Sequence, residues 1–389
     1  MISVDEALEH VFALVRPLGA TCVPLREAAG RILTEPVVAR RSQPPFAASS
    51  MDGYAVAGDP PPGAAFSVIG ESAAGHGFRG AVGRGEAVRI FTGAPVPAGA
   101  TRVLIQEDVD RDGDRITLRD GADDQPHIRA AGTDFAQGDA VAPTGRLRPV
   151  DIALLAAMGH AELPVRRRPE VALIATGDEL VMPGDTPGPD QIVASNNFGL
   201  AAMIEAAGAR ARVLPIARDT EASLSLALDL ARGADLIVTI GGASVGDHDL
   251  VAAVAEARGM ERSFYKVAMR PGKPLMAGRL AGTPLIGLPG NPVSSMVCGL
   301  VFILPAVRVM QGLPPEPAPR TTARLAAPLS ANGPREHYMR ARRSADGLSA
   351  FDSQDSARLG ILAAADALIV RPPHDPARDV GDTVTCIAL

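Results

Sequence analysis

Lysine is nearly missing from this chain of 389 residues. Of its 38 basic residues only Lys266 and Lys273 are lysines, and both lie in one short segment. Arginine presents a wide planar fork and lysine a compact charge on a thin stem; chance could leave two lysines together, but the favoured reading is that these places need a point charge in a narrow site. Cysteine is scarce as well. Cys22, Cys298 and Cys386 are far apart, form no CxxC pair and have no metal-ligand spacing, which excludes a disulfide framework and leaves free thiols as the expectation. Positive charge is not in excess: net charge is -6 and the pI about 5.7, against the basic face of a nucleic-acid binder. No apolar run reaches the ~20 residues of a membrane-spanning helix. The most apolar stretch, 296–309, contains Pro305. There is no GxGxxG, Walker loop, serine nucleophile elbow or HExxH.

What is present starts with a helix pattern. Ile2, Val4, Leu8, Val11, Phe12 and Val15 recur at roughly helical spacing, and Ser3 with Glu6 fits a capping box. The start therefore reads as a helix rather than a signal peptide, and a cytoplasmic protein is expected. A second helix is expected around residues 25–33. From about Arg41 to Ala142, glycines and prolines separate short alternating apolar runs such as 64–69 and 87–91, a β-rich texture. Asp112-Gly113, between the runs 102–105 and 115–118, suggests a hairpin or a longer turn. Residues 151–158 read as a short helix stopped by Gly159.

After Pro169 the pattern changes. Strands are expected at 171–175, 212–216, 236–240, 263–267 and 284–288, alternating with helices at 197–207, 221–231, 250–257 and 292–310. Such alternation implies a mainly parallel sheet covered on both faces. The proline-rich run 313–319 is a stiff linker, and residues 320–389 read as a small β-barrel-like domain.

Ligands of open α/β sheets bind beyond the carboxyl ends of the strands, and the loops there are unusual. The first strand runs into Thr176-Gly177-Asp178-Glu179-Leu180. A later one runs into Gly241-Gly242-Ala243-Ser244-Val245-Gly246-Asp247-His248-Asp249. The last runs into Pro289-Gly290-Asn291-Pro292-Val293-Ser294-Ser295. Glycine permits close backbone approach and positive φ. Asn291 and Pro292 suit the first positions of a helix whose free amides, with the hydroxyls of Ser294 and Ser295, attract an oxyanion. One such turn is how any strand becomes a helix; three together read as a site for an anionic, phosphorylated substrate. Lys266, Arg270 and Lys273 form a rigid cationic loop with Pro271 and Pro274. Asp178, Glu179, Asp219, Asp247 and Asp249 supply carboxylates, which beside a phosphate site point to Mg²⁺. His248, with no second histidine at ligand spacing, reads as a bystander. Asp52 in Ser49-Ser50-Met51-Asp52-Gly53, Thr92 in Phe91-Thr92-Gly93 and Asp134 after Gly132-Thr133 stand in turns of the β-rich half.

Together the segments Ser-Met-Asp-Gly-Tyr-Ala at 50–55, Phe-Thr-Gly-Ala at 91–94, Thr-Gly-Asp-Glu-Leu at 176–180, Gly-Gly-Ala-Ser-Val-Gly at 241–246, Met-Arg-Pro-Gly-Lys-Pro at 269–274 and Gly-Leu-Pro-Gly-Asn-Pro at 287–292 resemble the molybdopterin molybdenumtransferase family, the MoeA-type enzymes and the E domain of gephyrin. The resemblance spans most of the chain, in the family's order. It implies a multi-domain α/β plus β fold: a linking domain from 1–40 and 140–166, an inserted β-rich domain at 41–139, a MogA-like molybdopterin-binding α/β domain at 167–315 and a C-terminal barrel-like domain at 316–389.

It also implies a reaction. Members take adenylylated molybdopterin and molybdate, release AMP and place molybdenum on the dithiolene, with Mg²⁺ assisting. The expected form is a homodimer with a site shared between subunits: Asp52, Thr92 and Asp134 from one chain, and Glu179, Asp219, Asp249, Lys266 and Lys273 from the other. On this reading Glu179, Asp219 and Asp249 hold the metal. Thr176, Gly177, Asp178, Asn196, Gly241, Gly242, Ser244, Gly246, Asp249, Arg270, Pro289, Gly290, Asn291, Pro292 and Ser294 bind substrate. The resemblance further suggests transient contact with the molybdopterin adenylyltransferase of the preceding step, and neither nucleic acid nor membrane as partner.

There are departures from the pattern. Ala194-Ser195-Asn196 lacks the acid often found before Ser/Thr-Asn, and Arg270 replaces a common lysine. Gln354-Asp355-Ser356-Ala357 stands where a glycine-serine pair is usual, so no substrate contact is assigned to the last domain, although Arg335-Glu336-His337-Tyr338-Met339-Arg340 resembles its strand motif. Two other readings are a molybdopterin adenylyltransferase, which shares the α/β domain but not the β-rich half, and a gephyrin-like binding scaffold, against which the retained lysines and acids argue.

Overall fold

The structure, a computed structural model, describes residues 1–242 and 250–389. The chain divides into two compact units, Met1–Thr21 with Arg166–Leu389, and Cys22–Val165.

The first unit is built on a six-stranded sheet. Its strand order is Arg210–Val213, Glu170–Ala175, Leu236–Ile240, Thr283–Leu288, Met276–Leu280 and Met260–Tyr265. The first four strands are parallel and the last two antiparallel. Side chains alternate faces along each strand. Val171, Leu173, Val238 and Ile286 pack on one side with the N-terminal helix Val4–Leu14 and the helix Asn196–Ala206. Ala172, Ile174, Ile237 and Leu285 pack on the other with helices Glu221–Leu230 and Leu250–Ala257. Burial on both faces is why these strands are continuously apolar.

The N-terminal helix begins with the expected capping box: the Ser3 hydroxyl accepts the Glu6 N–H at 3.1 Å, and the Glu6 carboxylate accepts the Ser3 N–H at 2.7 Å. The apolar helix Pro292–Met310 is 19 residues long, enough to cross a membrane by length and composition, but here it is mostly buried core. Pro305 does not interrupt it. Residues Gly299–Ile303 form a π turn just before, with the Leu304 N–H bonded to the Gly299 carbonyl, and this absorbs the register change at a residue without an N–H.

The C-terminal segment forms a sheet ordered Met269–Arg270, Glu336–Ser344, Ala367–Arg371, Thr383–Ala388 and Thr321–Arg324, with Gly347–Ala350 paired to Glu336–Ser344. The first of these strands belongs to the cationic loop, so that loop is tied to the last domain by strand pairing, Arg270 opposite His337.

The second unit has a six-stranded sheet ordered Arg102–Ile105, Gly53–Val56, Glu86–Ile90, Ala65–Ser72, Arg115–Leu118 and Val109–Asp112. The hairpin expected at Asp112-Gly113 forms, but its upstream strand and one expected helix differ in this unit. The hairpin partner of 115–118 is Val109–Asp112, not the run 102–105, which pairs with Gly53–Val56 instead. A 3₁₀ turn at Gln106–Asp108 ends the first run before the hairpin begins. Residues 25–33 are not a helix either. Only Leu25–Glu27 make a 3₁₀ turn; Gly30 then takes φ +73°, and Gly30 and Arg31 exchange backbone hydrogen bonds with Leu147. Tertiary pairing overrides local propensity there. The helix Pro149–Ala157 closes a small core of Leu155, Met158, Leu163, Val165 and Phe135.

Candidate active site

Three turns at the carboxyl ends of the parallel strands meet in the first unit. In the first turn, Thr176 is buried and its N–H donates to the Ile240 carbonyl at 2.9 Å. Gly177 has φ +148°, and a β-carbon there would lie 2.3 Å from the Glu179 carboxylate, so only glycine lets that carboxylate fold back over the turn. Arg218 fixes the turn from behind, Nη1 donating to the carbonyls of Gly177, Asp178 and Leu180 at 3.3, 3.0 and 3.0 Å. The Asp178 carboxylate accepts the Asp219 N–H at 3.2 Å. Asp178 therefore shapes the turn and seats Asp219 beside it.

The second turn begins with Gly241 (φ +96°) and Gly242 (φ +68°). A β-carbon at Gly241 would meet the Thr176 carbonyl at 2.6 Å, and one at Gly242 the Val251 side chain at 2.3 Å. The expected site residues Ser244, Gly246 and Asp249, with Asp247 and His248, lie outside the described residues.

In the third turn, a β-carbon on Gly290 would come within 3.5 Å of the Gly241 Cα, so the two glycine turns are backbone neighbours. The Asn196 amide donates to the Gly290 carbonyl at 2.7 Å. The buried Ser295 hydroxyl donates to the Pro289 carbonyl at 2.5 Å and also approaches the Asn291 carbonyl. Asn291 occupies the cap position, but its side chain makes no cap bond and donates instead to the Ser356 hydroxyl at 3.2 Å. The Val293 N–H donates to the Ser356 carbonyl at 3.1 Å. The helix start expected to offer an amide and two hydroxyls thus spends the Val293 amide and the Ser295 hydroxyl internally, and Ser294 is buried. Ser356 belongs to the segment to which the sequence assigned no contact.

These turns enclose a cavity of about 1140 Å³. Thr176, Glu179, Asn196, Asp219, Gly241, Gly242 and 289–292 line it, with Leu180, Ile192, Val193 and Leu250 as an apolar side and Ala357 from the C-terminal segment. Gly177, Asp178, Ser294, Lys266, Arg270 and Lys273 are not lining residues, but Pro274, next to Lys273, is. The cationic loop closes on itself: Lys266 N–H donates to the Leu275 carbonyl at 2.9 Å, and Val267 N–H to the Lys273 carbonyl at 3.1 Å. The N-terminus braces it, Ile2 N–H donating to the Lys266 carbonyl and Ala268 N–H to the Ile2 carbonyl. Lys266 itself has φ +71°, a left-handed conformation uncommon for a long side chain, and its Nζ sits 4.9 Å from the Tyr265 ring centre.

Beside Arg270, burial and then the charges of Arg270 and Arg340 push the His337 pKa down to about 4, so its ring is neutral near pH 7. Arg340 is buried, donating from Nη2 to the Asp355 carbonyl at 3.0 Å, while its backbone N–H donates to the Gln354 side chain at 2.9 Å.

In the second unit, the Asp52 carboxylate accepts the Thr92 N–H at 2.7 Å and the Thr92 hydroxyl at 2.8 Å. Those two bonds, with a smaller contribution from Arg89, hold the carboxyl below its ordinary pKa. Asp134 stands on an exposed turn, its N–H donating to the Gln43 carbonyl at 3.0 Å.

The chain is similar along most of its length to known proteins. The MoeA N-terminal region (domain I and II) matches residues 2–159, the probable molybdopterin binding domain 172–309, and the MoeA C-terminal region (domain IV) 322–389. The chain is 40% identical over 354 residues to molybdopterin molybdenumtransferase 2 of Mycobacterium tuberculosis, covering 88% of this chain and 87% of that one. It is 37% identical to molybdopterin molybdenumtransferase of Haemophilus influenzae, over 80% and 78% of the two chains. A crystal structure of a molybdopterin biosynthesis moeA protein from Pyrococcus horikoshii superposes with a TM-score of 0.83 at 29% identity, covering 100% of this chain and 99% of that one. The chain belongs to the molybdopterin molybdenumtransferase family, the MoeA-type enzymes.

Proposed function

We propose that this enzyme transfers molybdenum from molybdate to adenylylated molybdopterin and releases AMP. The observation that carries the reading is the meeting of three glycine-rich turns around one cavity that also receives Glu179 and Asp219. Backbone lining the cavity at Gly241, Gly242 and Gly290 admits a phosphate-bearing ligand closely. The apolar wall of Ile192, Val193 and Leu250 suits a flat heterocycle.

Glu179 and Asp219 suit Mg²⁺, which takes one or two carboxylates and fills its shell with water and substrate phosphate oxygens. When bound, Mg²⁺ would offset phosphate charge and polarise the P–O bond. Lys266 and Lys273, joined through the Val267 and Leu275 backbone bonds, hold positive charge beside the cavity at Pro274, where molybdate and phosphate are drawn in. No protein nucleophile is required, because the dithiolene sulfurs and molybdate are the reacting groups.

The reading extends to a cytoplasmic homodimer whose subunits keep the four-domain division given above. Asp52, Thr92 and Asp134 of the partner subunit complete the site, and Asp249 joins Glu179 and Asp219. Lys273→Ala and Glu179→Ala, each folding as the wild type does, are expected to abolish molybdenum cofactor formation, measured by reconstitution of an apo-molybdoenzyme. Wild-type activity in both overturns the assignment. Mixed Asp52→Ala and Glu179→Ala chains are expected to regain activity, because one site per heterodimer stays intact; absence of rescue contradicts a shared site.

A further inference from the structure

We propose that Arg89 is a positioning residue for the molybdenum transfer reaction: clamped between Tyr54 and Phe91 and bonded to Gly53 and Gln106, it fixes the Asp52–Thr92 pair from behind. The inference rests on the reading above that Asp52 and Thr92 serve the reaction.

The geometry makes Arg89 the common neighbour of both loops that carry the pair. Gly53 follows Asp52 and Phe91 precedes Thr92. The guanidinium lies 5.0 Å from the Tyr54 ring centre and 4.8 Å from that of Phe91. Its Nη1 donates to the Gly53 carbonyl at 3.1 Å and its Nη2 to the Gln106 side-chain carbonyl at 2.7 Å. Gln106 closes the circuit, donating its own N–H to the Asp52 carbonyl at 3.0 Å. Arg89 also stands opposite Tyr54 in the strand ladder, and Gly53 pairs with Ile90 and Ile105 on either side. A β-carbon on Gly53 would lie 1.9 Å from the Leu104 carbonyl, so that strand is packed tight against its neighbour. The catalytic pair therefore hangs from strand ends that Arg89 ties together.

Aromatic rings are rare here, with no tryptophan, three tyrosines and ten phenylalanines, yet one tyrosine and one phenylalanine bracket this guanidinium. Only a planar fork can stack between two rings and donate in its plane to two oxygens at once. A lysine keeps the charge and loses that arrangement. A methionine keeps bulk between the rings and loses the charge as well.

The test compares Arg89→Lys and Arg89→Met with wild type in molybdenum insertion across pH, beside a titration of the ¹³C-labelled Asp52 carboxyl. Both variants are expected to lose turnover on the order of 10- to 100-fold with little change in KM, since misplacement by a fraction of an ångström is felt mainly in the transition state. In Arg89→Met the Asp52 carboxyl and the acid limb of the rate profile both move to higher pH; in Arg89→Lys the limb stays near that of wild type while turnover remains low. Wild-type turnover in Arg89→Lys overturns the positioning role, and so does an unmoved Asp52 titration in Arg89→Met. If Arg89→Met fails to fold, Gln106→Leu removes the second partner of the fork at an exposed position and is expected to lower turnover without raising KM; unchanged turnover there overturns the inference. Asp52→Ala separates the two levels. Full activity in that variant sinks the functional reading, whereas the titration of Asp52 reads the Arg89 clamp directly.

Discussion

Thr92 gives the Asp52 carboxylate two donors, the backbone N–H at 2.7 Å and the hydroxyl at 2.8 Å. Hydrogen bonds to the charged form lower a carboxyl pKa, so Asp52 stays ionised to lower pH than an ordinary aspartate. Thr92→Val removes the hydroxyl and leaves the backbone bond. The Asp52 pKa then rises, and the acid limb of the pH–rate profile moves to higher pH. A profile superposable on wild type contradicts this role.

Lys266 carries its charge on a backbone in the left-handed region, at φ +71°. Such a conformation costs a non-glycine residue roughly 1–2 kcal/mol. Lys266→Gly is expected to hold or raise the unfolding free energy, by up to about 1 kcal/mol, while cofactor formation is lost. Retained activity in Lys266→Gly contradicts a catalytic lysine, and strong destabilisation contradicts stored strain.

The two glycines of the second turn differ from Gly290. A β-carbon at Gly242 meets Val251 at 2.3 Å with φ at +68°, whereas at Gly290 its near neighbour is the Gly241 Cα at 3.5 Å. Gly242→Ala is expected to cost on the order of 1–3 kcal/mol of stability. Gly290→Ala is expected to cost less than about 1 kcal/mol and to act on ligand affinity instead. Urea unfolding with AMP titration separates the two effects; equal stability losses contradict the packing described.

His337 links stability to pH. Buried and facing Arg270, Arg340, Arg371 and Arg335, it has a folded-state pKa of about 4 against an ordinary value of 6.5. Across that window the unfolded chain binds a proton that the folded chain refuses, so stability falls as pH drops from 6.5 toward 4 and is unaffected above it. The loss from this residue is on the order of 3 kcal/mol. His337→Gln should lose less stability than wild type between neutral pH and about pH 5; parallel losses contradict the assignment.

Much of this was legible in the sequence because the signals are local and redundant. Buried strands such as Val171–Ala175 and 236–240 announce themselves by continuous apolar runs, and their glycine turns by composition. Of the cavity-lining residues, Thr176, Glu179, Gly241, Gly242 and 289–292 stand in those turns, whereas Asn196 and Asp219 are pointed to by the family resemblance. What the sequence hid was the use of each polar group. Ser295 reads as an exposed hydroxyl but is spent on the Pro289 carbonyl. The roles of Arg218 and Arg89 are not legible in the sequence, since nothing in a one-dimensional pattern shows three carbonyls or two rings converging on a guanidinium. The segment 25–33 resembled a helix because its pairing with Leu147 is remote in sequence.

The most direct test supplies the purified enzyme with adenylylated molybdopterin, molybdate and Mg²⁺, then quantifies AMP and molybdenum-loaded cofactor together. The account predicts that both appear in equal amounts and that neither appears in Glu179→Ala. ATP-dependent adenylylation of molybdopterin, with no AMP release and no molybdenum transfer, would contradict it.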